Sequence, residues 1–230
     1  PITAIATLLL VQDGLLALDD SIQKFYPEFP YQGITIKNLL GHRSGLPNYM
    51  YFADSVWLDK EQAITNRDVM SLLTLHHPRR YYPPNKRYNY SNTNYAILAL
   101  LIEDLSKMSF ELFLKTRIFL PLGMHDSKVY NKSQNPDNYN SVVGYSRGRR
   151  VAENTYLNGV VGDKGIYSSV TDLFLLDQAL RGGLLISLEL QDSAFQAQHK
   201  DLYKWDNYGL GWRIDGSIED NKVVYHTGWW

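Results

Sequence analysis

The ten residues from Ile2 to Val11, ITAIATLLLV, form the longest apolar run in the chain. A membrane-spanning helix takes about 20 such residues, so this run is too short to cross a bilayer. Its apolar character extends almost all the way round a helical wheel. A helix over residues 2–12 therefore belongs between layers and not on a surface. Asp13-Gly14 supplies the turn that closes it. The helix begins abruptly, without an N-cap, which predicts that its first turn lies upstream of Pro1.

Such a helix needs a core around it, and the composition provides one. The 230 residues are 44% hydrophobic and 20% charged, which suits one globular unit or one with two subdomains. The net charge of −1 creates no global field for nucleic acid or an anionic membrane. The absence of cysteine excludes a disulfide framework, thiolate metal sites and a cysteine nucleophile. A signal peptide needs a basic stretch ahead of its apolar core, and Pro1 stands there instead; a processed or trimmed chain looks the same.

Short helices follow the first. SIQKFYPEFP reads as a helical turn stopped by Pro27 and Pro30, and TIKNLLGH as a helix capped by Thr35. Residues 66–76 form a helix with a cap at Asn66. HPRRYYPPNKRYNY, with Pro78, Pro83 and Pro84, is irregular. A long helix runs from about Asn92 to Lys107, its mouth rich in the small polar residues that favour capping. Ser109, Ser169 and Ser187 cap three more. Tyr130 to Gly165 is loop or weak strand. Over the last 25 residues the period changes: YGLGWRI and KVVYH alternate, with Asp215, Gly216, Asp220 and Asn221 between them, and predict an antiparallel hairpin. An isolated hairpin is marginal, so this one is expected to pair with strands the chain does not contain.

The chemistry-bearing residues are sparse. His42, His76, His77, His125, His199 and His226 never fall in a metal-ligand spacing and read as loop histidines. Asp19-Asp20 reads as a cap and Glu103-Asp104 as a solvated face. Arg79, Arg80, Lys86 and Arg87 interleave with Tyr81, Tyr82, Tyr88 and Tyr90, a pattern that can bind single-stranded nucleic acid, though the neutral overall charge favours a self-packed loop. Tyr90-Ser91-Asn92 places a phenol at a helix mouth, where the positive end of the helix favours phenolate. Tyr156-Leu157-Asn158 repeats the pattern in loop sequence. His226-Thr227-Gly228 ends a strand, and its glycine permits close backbone approach.

Seven segments in order, LVQDGLLALDDSI…FYPEFP, ITIKNLLGHRSGLP, YNYSNTNYAILALLIEDLS, LPLGM, GIYSSVTDLFLL, YGLGW and HTG, give the chain its likeness. Together they resemble the serine β-lactamase-related family, which includes class C β-lactamases, D-alanyl-D-alanine peptidases and family VIII esterases. The resemblance spans nearly the whole sequence. It implies an α/β (α+β) class of β-lactamase/transpeptidase type, a helical subdomain packed on an antiparallel sheet with flanking helices, most of that sheet lying outside this chain. Residues 1–14 would be the buried central helix of the α/β part, 15–200 the mainly helical subdomain, and 201–230 a truncated hairpin of the α/β part.

The resemblance also implies an activity, that of a serine acyl hydrolase working through an acyl-enzyme without cofactor or metal. Its substrates would be small acyl, β-lactam or D-alanyl peptide molecules, and its place extracytoplasmic in a bacterium. Family members carry Ser-x-x-Lys, Tyr-x-Asn and Lys- or His-Thr-Gly. The last two map to Tyr90 and Asn92, and to His226, with Ser91, Thr227, Gly228 and Trp229 lining the substrate. The only Ser-x-x-Lys here, Ser21 to Lys24, follows the buried helix where the family motif should open it, and is read as a decoy. The nucleophile and lysine are then expected just upstream of Pro1. The alternative is an inactive homologue that binds peptidoglycan-like or acyl ligands. A histidine at 226 carries only conditional charge, with an ordinary pKa near 6.5, which favours peptidase or esterase over efficient β-lactamase.

Overall fold

A computed structural model describes residues 1–131, 144–146, 148–152, 154–198, 207–215 and 222–228. Helix α1 spans Ile2–Gln12, and every residue from Ile2 to Leu10 is buried. It has no side-chain cap, and it ends at Asp13 followed by Gly14 at φ +72°. Its main partner is α5, Asn92–Ser106, buried from Thr93 to Ile102. Two all-round apolar helices in contact explain each other, because each hides the other's second face.

The remaining helices wrap this pair. Helix α2 is Ile36–Leu40, α3 Tyr49–Val56, α4 Asn66–His76 and α6 Phe110–Leu114, and all four pack on α5. Thr35, Ser109 and Ser187 cap as the sequence predicts, as does Ser169, which opens α7, Val170–Arg181. Helix α8 is Leu188–Ala194. The expected cap at Asn66 is displaced by one residue. Thr65 forms the capping box with Asp68, which frees the Asn66 side chain for deeper work. Its Nδ2 donates to the carbonyls of Ala96 (2.9 Å) and Val161 (2.7 Å), and its Oδ1 accepts from Val161 N (3.0 Å). A buried amide satisfies three backbone groups that would otherwise be orphaned.

The strands are short and antiparallel. Strand β1, Lys128–Val129, pairs with β4, Ile166–Tyr167, and β2, Tyr145–Ser146, with β3, Arg150–Val151. The predicted hairpin is β5, Arg213–Asp215, against β6, Val223–Tyr225, in the register Ile214↔Val224. Its turn residues Gly216, Asp220 and Asn221 lie outside the described residues. The hairpin is seated by the turn before it. Gly211, at φ +108°, lies so close to α1 that a Cβ there would stand 2.3 Å from Ala4 Cβ. The β5 end of the hairpin therefore reaches the first turns of α1. Glu103 and Asp104 do not form the solvated face expected of them: Glu103 Oε1 accepts from Phe110 N (2.9 Å), and Asp104 accepts from the Tyr26 hydroxyl (2.8 Å). Among the described residues no helix is long and apolar enough to cross a membrane.

Candidate active site

After α2 the chain turns at His42, whose φ of +52° lies in the left-handed region. That turn drives the imidazole inward until it is only 1% exposed. The ring is sandwiched between Tyr90, with centroids 4.0 Å apart and planes at 30°, and Tyr95, at 4.9 Å and 25°. Tyr88 and Tyr208 meet it edge-on at 6.2 and 5.0 Å. Ser91 N–H and Asn94 Nδ2 both approach His42 Nδ1, at 3.2 and 3.1 Å, while Asn94 Oδ1 is occupied by the Ser44 hydroxyl at 2.6 Å. Nδ1 is thus the acceptor, and the ring proton sits on Nε2. Burial above all holds His42 well below the ordinary histidine range. The ring is neutral at pH 7.

The third motif arrives from the other side. His226 follows β6, and its Nδ1 faces the Thr227 carbonyl at 2.7 Å. A carbonyl only accepts, so Nδ1 carries the proton and Nε2 accepts the Tyr208 hydroxyl at 2.9 Å. Burial lowers His226 to about 4. A Cβ on Gly211 would stand 2.3 Å from Ala4 Cβ and 3.3 Å from the Tyr95 hydroxyl; Tyr95 stacks on His42, and Tyr208 joins His42 to His226, so the cluster stands beside the first turns of α1. The Tyr90 and His226 rings lie 6.3 Å apart. Two residues separated by more than half the sequence converge there.

Tyr90 is 40% exposed, so one side of its ring is open to a ligand. Burial raises its pKa, the carboxylate of Asp163 raises it further, and Arg213 opposes both. The sequence predicts the reverse, a phenol brought down by the helix end and the family's lysine, with His226 adding charge only conditionally. Desolvation outweighs the helix dipole here, and the imidazole is uncharged. The capping explanation of the helix mouth fails as well. Ser91 occupies the N-cap position of α5 but makes no side-chain cap bond, and its hydroxyl points to the Pro47 carbonyl at 3.4 Å. Asn92 Nδ2 lies 2.7 Å from Met50 Sδ. Thr227 and Gly228 are exposed. A Cβ on Gly228 would meet nothing within 4 Å, so no backbone among the described residues makes the close approach expected of that glycine. Trp229 lies outside the described residues, as does His199.

Sequence reading gave no role to His42 or Tyr208, although both sit in segments that carry the family likeness. It also missed a buried charge cluster next to Tyr90. The Tyr49 hydroxyl donates to Asp163 Oδ2 at 2.8 Å, and Lys164 Nζ donates to that hydroxyl and pairs with Asp163 at 3.3 Å. The two charged side chains are 4% and 2% exposed. The look-alike motifs are engaged elsewhere. Ser21 caps a 3-10 turn while Lys24 pairs with Asp20 at 2.8 Å, and Asn158 completes a capping box with Thr155. Among the described residues no three side chains gather as metal ligands.

Known proteins share this chain's sequence pattern and its fold. The pattern of the family described as Beta-lactamase matches residues 1–230. Penicillin-binding protein 4* of Bacillus subtilis (strain 168) is 37% identical over 243 aligned residues, covering 100% of this chain and 54% of that protein. The solved penicillin binding protein from Bacillus halodurans superposes with a TM-score of 0.75 at 26% identity, over 93% of this chain and 66% of that one. D-amino acid amidase from Ochrobactrum anthropi SV3 shares the fold, with a TM-score of 0.77 at 22% identity over 98% of this chain and 66% of its own. The chain spans about half the length of the curated relative it matches.

Proposed function

The chain belongs to the β-lactamase family, and from that premise we propose that the whole protein is a serine acyl hydrolase in which Tyr90 relays the proton. The observation that carries this reading is the meeting of the Tyr90 phenol and the His226 imidazole, 6.3 Å apart, in a ring cluster that rests beside the first turns of α1. The resemblance places the acylated serine and its lysine at that same end. The seryl oxygen attacks the substrate carbonyl carbon and passes its proton to the lysine–tyrosine pair. The proton then goes to the leaving group, and water later repeats the attack on the acyl-enzyme. Tyr90 is held high by burial and by Asp163, so its phenolate needs a further cation close by. The family's lysine has that task, and without it Tyr90 serves as an acid. Asn92 is assigned to orient the lysine and a substrate carbonyl. Thr227 and Gly228 line the substrate strand, and Trp229 N–H is one oxyanion donor.

His226 sharpens the substrate class. Its pKa near 4 leaves it neutral at pH 7, so the strand offers a substrate carboxylate no permanent charge. This favours peptides or esters over rapid β-lactam turnover. We also read residues 15–200 as a mainly helical subdomain resting on an α/β part that holds α1 and the hairpin, and place the protein outside the cytoplasmic membrane. The test compares nitrocefin, short acyl esters and D-Ala-D-Ala peptides on the full-length protein. Tyr90→Phe should slow acylation by about two decades or more. A loss below tenfold removes Tyr90 from the proton path. Failure of a fluorophosphonate to label the protein supports the non-catalytic, ligand-binding alternative.

A further inference from the structure

Resting on that reading of Tyr90, we propose that His42 is a positioning residue that fixes the phenol and ties it to His226. Three contacts clamp the segment on which Tyr90 sits. The His42 carbonyl accepts Asn89 N–H at 2.8 Å, and its Nδ1 accepts Ser91 N–H at 3.2 Å. Asn89 and Ser91 flank Tyr90, so one residue holds the backbone on both sides of it. The phenol itself lies on the imidazole face, 4.0 Å between centroids. The opposite face of His42 is backed by Tyr95, whose hydroxyl donates to the Leu40 carbonyl at 3.0 Å, so the stack has a fixed wall behind it.

The same ring reaches the other half of the site. Tyr208 packs edge-on against His42 and donates to His226 Nε2. His42 thereby sets the spacing of the two groups that the reaction needs together. A residue selected for filling space alone would not bring a buried donor with it. His42 Nε2 has no hydrogen-bond partner among the described residues, although the ring is 1% exposed. Phenylalanine would make the same stack without that orphan, and unsatisfied buried groups of this kind gather where function retains them.

Two substitutions separate the clamp from the stack. In His42→Asn the amide oxygen can stand where Nδ1 stands, and asparagine tolerates the left-handed backbone; the clamp remains and the stack is lost. His42→Phe keeps the stack and loses the acceptor. In full-length protein turning over p-nitrophenyl acetate, kcat should fall about tenfold in the first and on the order of 10²-fold in the second, with KM changed less than about threefold. On a Tyr90→Phe background both effects should shrink several-fold, because the larger part of the positioning acts through the phenol and only the part passed through Tyr208 to His226 remains. Equal losses in both backgrounds, or a rise in KM without a fall in kcat, overturn the proposal. Should His42→Phe fail to fold, His42→Asn alone decides by the same comparison. If Tyr90→Phe costs less than tenfold, the proton-relay reading falls and positioning falls with it. Additive losses beneath a large Tyr90→Phe defect sink positioning alone.

Discussion

Gly211→Ala tests the joint between the hairpin and α1. A Cβ at Gly211 would stand 2.3 Å from Ala4 Cβ and 3.3 Å from the Tyr95 hydroxyl. Ordinary contact begins at 3.4 Å, so the turn must retreat by about 1.1 Å. Ala4 cannot yield, since it is wholly buried in a helix enclosed on all sides. The turn is also pinned from behind: a Cβ on Gly209 would stand 2.0 Å from the Ala194 carbonyl oxygen of α8. Overpacking of this kind costs about 1–3 kcal/mol. Forcing alanine to φ +108° adds about 1–3 kcal/mol more. At roughly 2–4 °C per kcal/mol for a unit of this size, the melting temperature should drop by roughly 5–20 °C.

The same movement has a functional signature. Tyr208 opens this turn, and its hydroxyl lies 2.9 Å from His226 Nε2. A retreat of about 1 Å takes it out of hydrogen-bonding range. Activity of the surviving folded fraction should therefore fall with stability. Ala4→Gly supplies the control. With the Ala4 Cβ gone, the next atom of that residue is Cα at 3.8 Å, an ordinary contact. The double variant keeps the φ strain and adds about 1 kcal/mol for glycine in a helix, yet loses the clash. Denaturant titration should show the pair to be at least about 1 kcal/mol more stable than the sum of the single effects. Strict additivity, or a neutral Gly211→Ala, would mean that the turn does not rest on α1 as described.

Other perturbations have defined outcomes. Asn66→Leu removes the partners of three buried backbone groups and should cost about 3 kcal/mol or more in equilibrium unfolding. Lys164→Met leaves Asp163 as a buried unpaired carboxylate and should destabilise by about 3–5 kcal/mol, part of it recovered by adding Asp163→Asn. His226 is lowered to about 4 in the folded state, whereas unfolded histidine titrates near 6.5. The unfolded chain then binds the proton first, so the stability present above about 6.5 is lost as pH falls toward 4. Melting temperatures between pH 7.5 and 4 should show this slope, His226→Gln should flatten it, and an unchanged slope would exclude His226 as its source.

The fold was legible where one segment carries its own explanation. The uniform apolarity of Ile2 to Leu10 forced burial, and Thr35, Ser109, Ser169 and Ser187 announced helix starts through local hydrogen bonds. The period change near the end identified β5 and β6. Errors came where a side chain had a better partner far away in sequence. Asn66 reads as a cap because asparagines often cap, but the buried carbonyls of Ala96 and Val161 claim it. The small polar mouth of α5 reads as capping sequence, but the N–H and hydroxyl of Ser91 are spoken for by His42 and Pro47.

The candidate site shows the same division. Tyr90 and His226 were found through short motifs, each local. What makes them one site is a set of contacts with no local trace, and the central one is His42. Read alone it is a loop histidine, since neither spacing nor charge marks it. Its left-handed backbone, its neutral buried ring and its place between Tyr90 and Tyr95 arise only when α2, the mouth of α5 and the turn at Tyr208 are brought together. Desolvation is the common cause of these departures. It makes both imidazoles neutral and raises the phenol. On the proposed reading, a site of neutral rings in front of α1 has one electrostatic requirement, a cation beside Tyr90 in addition to Arg213, before Tyr90 can act as a base.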